Sequence, residues 1–311
     1  MNYRECARLL RGQDRILIVT HKNPDGDTVS SAAALCSALR RAGKEAHLYP
    51  NPDVTRHLRP YAAPYYAPTG FAPAYCVAVD VATENMFAEG FAGSVDLCID
   101  HHPTNSHYAP EELIRDEKSS CGEIVLELIK SLCGDLTPEE ATLLYIAVTT
   151  DTGCFQYANT NQQTLSSAAE LLRLGADSFT VTRDFFRKVS PARLKLEGSI
   201  YSGMSFHRDG RVVVALVTRE MMEKAGATED DCDDLAGLSG RAEGCDVNVT
   251  IRELEDGSSK VSVRSTPEVS SSEICAVFGG GGHAMAAGCT IQCAPEKARE
   301  MLLAVIDEVL K

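Results

Sequence analysis

Val95-Asp96-Leu97-Cys98-Ile99-Asp100-His101-His102 is the stretch that decides the fold. Its first five residues read as a short buried strand. A carboxylate and two imidazoles follow at its C-terminal end, where parallel-sheet proteins place their chemistry. Three other strand or helix ends also present Asp or His: His21-Lys22-Asn23-Pro24-Asp25-Gly26-Asp27, Asp80 and Asp151. Together these residues offer hard oxygen and imidazole donors. Such a set suits divalent manganese or magnesium better than a thiolate zinc site.

Working outward from that stretch, strands alternate with helices. Ile16-Leu17-Ile18-Val19 is an apolar strand candidate, and Thr28 to Arg41 reads as a helix that stops at Gly43. Glu45–Tyr49 is a second strand. Residues 50–73 hold six prolines and read as irregular connection. Tyr75–Val79 forms a third strand, ending at Asp80. Cys121–Leu132 carries helical spacing, and Thr137-Pro138-Glu139-Glu140 is a capping box with Pro at the first helical position. That helix runs toward Asp151, and another spans Asn161–Leu174. This alternation predicts an α/β fold with an N-terminal, mostly parallel sheet flanked by helices.

The pattern changes after a linker at residues 186–205. Arg211–Val217 and Val247–Leu254 are β-rich, and Asp256-Gly257 joins the latter to Lys260–Arg264 as a hairpin. Pro295–Leu310 is an amphipathic helix. A smaller mixed-sheet α/β domain is expected over 206–311, beside a metal-binding domain over 1–185.

Composition excludes several classes. Apolar content of 44% and charged content of 24% are ordinary for a globular protein. No apolar run reaches the roughly 18 residues that span a bilayer, and the N-terminus lacks a signal-peptide layout. A cytoplasmic protein with no membrane partner is expected. The net charge of −14 divides evenly between residues 1–190 and 191–311, which argues against a long nucleic-acid track. The twelve cysteines contain no Cys-x-x-Cys, so they read as reduced core residues rather than zinc ligands or disulfides.

Pro24 and Gly26 turn the chain so that Asp25 and Asp27 can point into one place. Taken alone, Asp27 would serve equally as a helix N-cap, and Asp151 as a plain helix-end residue. Taken together, several acids gathered at sheet ends repel one another unless cations neutralise them. Two metals held close together lower the pKa of a shared water and stabilise charge on an attacked phosphate. Asp80 stands alone between the two ligand groups and is the natural bridge. His47, His57, His107 and His207 show no ligand spacing.

In the second domain, Gly279-Gly280-Gly281-Gly282-His283 is too dense in glycine for an ordinary hairpin. Its amides could approach a phosphate closely, with a helix starting after it. Arg264 ends a strand, where a surface salt bridge is its ordinary role. Arg241 is a weaker candidate.

The order His-x-x-x-Asp-x-Asp, lone Asp, Asp-His-His, later Asp resembles the DHH phosphoesterase superfamily. The glycine run with His283, Ala286, Ala287 and Gly288 resembles the DHH-associated domain, so the likeness covers nearly the whole chain. It implies that His21 and Asp25 bind a first manganese, and that Asp27, His101 and Asp151 bind a second. Asp80 would bridge the two. His102 would contact the substrate phosphate or assist the leaving group, and Asp100 would orient a histidine. Gly280, Gly281, Gly282, His283 and Arg264 would grip the substrate's phosphate.

Within the superfamily, the chain lacks the added domains of single-strand DNA exonucleases. The Gly-Gly-Gly-His signature also separates it from family II pyrophosphatases. The resemblance is to the bifunctional nanoRNase and 3′-phosphoadenosine 5′-phosphate phosphatase group. It implies a hydrolase with two divalent ions, manganese or else magnesium, acting on short oligoribonucleotides or small nucleotides. A homodimer is expected on the same basis. A cyclic-dinucleotide phosphodiesterase and a non-catalytic nucleotide-binding regulator are the alternatives.

Overall fold

A computed structural model describes residues 1–232 and 235–310. It separates into two compact units, residues 1–188 and 189 onward. In the first, the order is α1 (Tyr3–Arg11), β1 (Ile16–Val19), α2 (Gly26–Arg41), β2 (Ala46–Leu48), α3 (Arg59–Ala62), β3 (Tyr75–Val79), β4 (Leu97–Asp100) and β5 (Glu111–Ile114). There follow α4 (Cys121–Cys133), α5 (Pro138–Asp151), α6 (Gln162–Arg173) and α7 (Ser178–Thr182). The strands form one sheet in the order β2-β1-β3-β4-β5, and every pairing is parallel.

Sequence order reverses between β1 and β3, so the crevice outside their C-terminal ends is where such sheets hold ligands. His21 follows β1 and Asp80 follows β3. The central strands β1 and β3 are continuous apolar runs because helices cover the sheet. Ile16, Ile18, Val77, Val79, Leu97 and Ile99 are all fully buried against residues such as Leu35, Leu39 and Ile124. Burying each such side chain contributes about 1.5–3 kcal/mol.

Several elements of this unit depart from the sequence reading. β4 starts two residues later than expected and takes in Asp100, which is fully buried. β5 was not expected. It reads Glu111-Glu112-Leu113-Ile114, an edge strand too short and polar to stand out. Helix α1, with an Asn2 capping box, also escaped the reading.

The second unit holds α8 (Pro191–Gly203), β6 (Ser205–His207), β7 (Val212–Val217), α9 (Arg219–Ala225), β8 (Val247–Glu253) and β9 (Ser259–Ser265). It ends with α10 (Ser271–Ala276), β10 (Gly281–His283), β11 (Ala286–Ile291) and α11 (Pro295–Val309). Its sheet is mixed, in the order β10-β11-β9-β8-β7-β6, with β7 and β8 parallel. No helix starts after the glycine run. Gly281–His283 instead pairs antiparallel with Ala286–Gly288, so the run is the edge strand of a hairpin after all. Glycine is required there because β10 lies so close to β11. A Cβ on Gly280 would sit 2.3 Å from the Gly288 oxygen, and one on Gly282, whose φ is +146°, would sit 2.5 Å from the Ala286 oxygen.

Candidate metal centre

The first unit brings His21, Asp25, Asp27, Asp80, His101 and Asp151 to the C-terminal ends of its strands. Donor atoms of His21, Asp25 and Asp80 lie within 4.8 Å of one another, as do those of Asp27, His101 and Asp151. A third such group joins Asp80, His101 and His102.

Local chemistry explains each placement. Asp25, not Asp27, is the N-cap of α2: its Oδ1 accepts from the Thr28 amide at 3.1 Å. Asp27 lies inside the helix, where its carboxylate accepts from the Cys121 and Gly122 amides at 2.7 and 2.9 Å and from Ser31 Oγ at 2.9 Å. The N-terminus of α4 thus holds Asp27 by its positive dipole. Gly26 lets α2 pack closely on α5, since a Cβ there would meet the Thr150 side chain at 2.5 Å. Asp151 is the last residue of that helix.

The histidines arrive with their tautomers set. Nδ1 of His21 donates to the Lys22 carbonyl at 2.8 Å, and Nδ1 of His101 to the Lys118 carbonyl at 3.2 Å. Each Nε2 therefore presents a lone pair to the carboxylates. From His21 Nε2 to Asp25 Oδ1 and Asp80 Oδ2 the distance is 3.8 Å. His101 Nε2 lies 3.4 Å from Asp80 Oδ1, 3.7 Å from Asp151 Oδ2 and 3.8 Å from Asp27 Oδ2. Donors sharing one ion at about 2.1 Å stand about 3–4 Å apart.

Asp80 is the pivot. It is buried, its φ of +62° lies in the left-handed region, and its Oδ1 makes no hydrogen bond. A buried, unpaired carboxylate oxygen on strained backbone is costly to keep without a ligand. Its two oxygens face different histidines, Oδ2 toward His21 and Oδ1 toward His101.

Electrostatics reads the same way. Burial, together with the carboxylates of Asp151 and Asp25, holds Asp27 well above the usual carboxylate range. Asp80 is pushed up by burial and by Asp27 and Asp25, and Asp151 to about 7 by burial and Asp25. Burial and the neighbouring His102 hold His101 below the ordinary imidazole range. Bound cations would reverse these carboxylate shifts. The donor set, oxygens with imidazole and no thiolate, fits manganese or magnesium.

His102 is placed differently. Its Nδ1 pairs with Asp100 Oδ1 at 2.8 Å, leaving Nε2 free. Asp100 Oδ2 accepts from Asn105 Nδ2 at 2.6 Å. Burial opposes protonation of His102, but the contact with Asp100 outweighs it and His102 titrates above the ordinary range. Of the other histidines, His47 packs edge-on against Phe71, His57 against Phe185, and His107 pairs with Glu112.

Sequence reasoning missed Asn105, Ser31, and the amides and carbonyls that hold Asp27, His21 and His101. Asn105, three residues beyond His102, was legible as a polar turn residue. Backbone amides carry no residue-type signal.

In the second unit, β-register places His283 opposite Ala286, Ala286 opposite Arg264, and Arg264 opposite Asn248. The four form one cross-strand row with only an alanine between Arg264 and His283. Arg264, Gly281, Gly282 and His283 are exposed, and Asn248 Oδ1 is buried without a hydrogen bond. Arg241 is engaged with the Tyr201 hydroxyl at 2.9 Å.

Comparison with known proteins identifies the family. Residues 15–148 match the DHH family, N-terminal domain, and residues 209–311 match the DHHA1 domain. The chain belongs to the DHH family. It is a hydrolase of that phosphoesterase family, whose members depend on metal. Relatives that carry the name bifunctional oligoribonuclease and PAP phosphatase NrnA include two aligned over nearly the whole chain. The one from Thermus thermophilus is 36% identical, over 95% of this chain and 90% of that protein. The one from Bacillus subtilis is 27% identical, over 99% and 98%. An exopolyphosphatase-related protein from Bacteroides fragilis shares the fold, with a TM-score of 0.88 at 23% identity, covering 98% and 96%. Thermus thermophilus RecJ in complex with Mn2+ shares it more loosely, with a TM-score of 0.57 at 16% identity over 98% of this chain and 54% of that one. Among the described residues, no helix is long and apolar enough to cross a membrane.

Proposed function

We propose that the protein is a two-metal phosphoesterase that hydrolyses short oligoribonucleotides, 3′-phosphoadenosine 5′-phosphate (PAP), or both. The observation that carries it is Asp80, a buried carboxylate with one oxygen toward each of two histidine-centred donor groups. His21 and Asp25 would hold the first ion, Asp27, His101 and Asp151 the second, and Asp80 would reach both. Manganese is the expected ion, with magnesium the alternative. Bound there, the cations supply an activated water and neutralise charge on the attacked phosphate.

The chain's own residues do the rest. Asp100 and Asn105 lock the His102 ring so that Nε2 faces outward, where it contacts the phosphate or gives a proton to the leaving oxygen. Arg264, Gly280, Gly281, Gly282 and His283 hold the substrate's terminal phosphate through guanidinium, imidazole and backbone donors. Support for the substrate class comes from the two relatives named for these activities, each aligned over nearly the whole chain. The domain limits of 1–185 and 206–311, the homodimer and the cytoplasmic location belong to the same reading.

The test is turnover by the full chain with manganese on a 5′-phosphorylated diribonucleotide, on PAP and on a cyclic dinucleotide at equal concentration. Mononucleotides from the first, or phosphate from the second, are expected. Preference for the cyclic substrate would overturn the substrate assignment. Binding of nucleotide and metal without turnover of any would overturn the enzyme.

A further inference from the structure

The first unit carries a second concentration of charge, opposite in sign to the metal centre. Arg4, Arg8 and Arg11 of α1, with Lys130, Ser131 and Gly134 at the end of α4, line a cavity of about 600 Å3. Four cations and no carboxylate line it, in a chain with 44 acidic and 30 basic residues. Its volume is in the range of small-ligand sites, roughly 300–1,000 Å3.

Structural duties account for only two of the cations. Arg11 Nη2 donates to the Ser131 and Leu132 carbonyls at 2.6 and 2.8 Å. The Gly134 amide covers the Lys130 carbonyl at 3.0 Å. These contacts satisfy the negative end of α4, which would otherwise repel an anion. Lys130 pairs with Glu127 and Glu170. Arg4 and Arg8 are exposed, and neither has a side-chain hydrogen bond or ion pair among the described residues. They stand four residues apart on one helix face, where like charges repel. Arg4 also lies in the first turn of α1, where the helix dipole disfavours a cation. Glu5, the acidic residue of that turn, accepts from the Asn2 amide at 2.8 Å, and a bound anion would offset both terms.

We propose that this cavity binds a small, multiply phosphorylated anion, an oligophosphate or the phosphate chain of a nucleoside polyphosphate. Guanidinium forks match phosphate oxygens in pairs. Arg11 is held in place by its Nη2 bonds and keeps Nη1 and Nε for a ligand. The three arginines span seven residues of α1, about 10 Å, which matches two or three linked phosphates rather than one. The site is separate from the metal centre. Helix α4 meets that centre through the Cys121 and Gly122 amides and reaches Lys130 eight residues, about 12 Å, later.

The test is calorimetric titration of the full chain with inorganic triphosphate, in magnesium exceeding the ligand. One site is expected. Arg4→Gln and Arg8→Gln should each weaken it about tenfold without lowering thermal stability and with the triphosphate-free hydrolysis rate unchanged. Arg264→Gln should leave it intact. ATP binding more tightly than triphosphate would support the site as one for a nucleotide, and equal binding as one for bare oligophosphate. Undiminished binding in the Arg4→Gln/Arg8→Gln double variant, loss of binding in Arg264→Gln, orthophosphate binding as tightly as triphosphate, or no binding would each overturn the proposal. These readouts stand whether or not the enzyme cleaves nucleotides.

Discussion

The donor cluster of the first unit and the glycine hairpin of the second are built on opposite principles. Asp27, Asp80, Asp100 and His21 are buried; the fold holds Asp27, Asp100 and His21 through hydrogen bonds made before any ligand arrives, and leaves Asp80 Oδ1 without one. Gly281, Gly282 and His283 are exposed on an edge strand, and His283 has no side-chain partner among the described residues. Buried carboxylates must be fixed in advance, because a misplaced one carries its full desolvation cost. An exposed hairpin with free amides can wait for its ligand. Changes in the first region should therefore strike metal binding and turnover, and changes in the second should strike substrate affinity.

The largest expected effect is at the pivot. Asp80→Ala should lower kcat by at least about 10³-fold, measured on the diribonucleotide in saturating manganese. If full turnover survives in a folded variant shown to be metal-free, the two-metal reading fails. Next comes the support of His102. Asn105→Ala frees one oxygen of Asp100, and losses of outer partners at such sites cost about 10–100-fold. The fall should appear in kcat, with metal affinity by titration little changed. A pure rise in KM would instead place Asn105 with the substrate contacts.

Arg264→Gln should do the reverse, raising KM about tenfold with manganese affinity unchanged. An equal loss of metal would erase the contrast between the two regions.

A pH series sharpens the first region further. Asp151 in the metal-free fold is pushed up to about 7, from an ordinary value near 4. A raised folded-state carboxylate pKa means the folded state holds the extra proton. Its contribution to metal-free stability is present below about pH 4 and is lost as pH rises toward 7. Metal binding needs the deprotonated form, so loading weakens below about 7. The gap in Tm between metal-loaded and metal-free protein should therefore widen from pH 5 to 8. A constant gap would show that Asp151 does not titrate in this way. The smallest effect belongs to His107→Gln. That side chain is exposed and, among the described residues, paired with Glu112 alone, so stability should move by no more than about 0.5 kcal/mol, and turnover should not move.

Reading the sequence was most secure where a residue's type and its position along a strand or helix point the same way. The parallel strands were legible because helices on a sheet demand continuous apolar runs such as Ile16–Val19. The candidate donors were legible because Asp and His at strand ends have few other duties in such number. Edge strand β5 and the hairpin strand β10 were not. Their identity lies in which neighbour they pair with, and the glycine run looked like a loop until β11 lay beside it.

From the sequence alone came the α/β plan, the order of the motifs and the residue types able to bind metal. Tertiary structure decided which oxygen faces which imidazole, that Asp25 rather than Asp27 caps α2, and that Asn105 and the α4 amides hold the site. It also gathered Arg4, Arg8, Arg11 and Lys130 around one cavity. The reason is physical. Periodicity and residue type are properties of a local segment, whereas a hydrogen bond from Cys121 to Asp27, 94 residues apart, exists only once the chain has closed on itself.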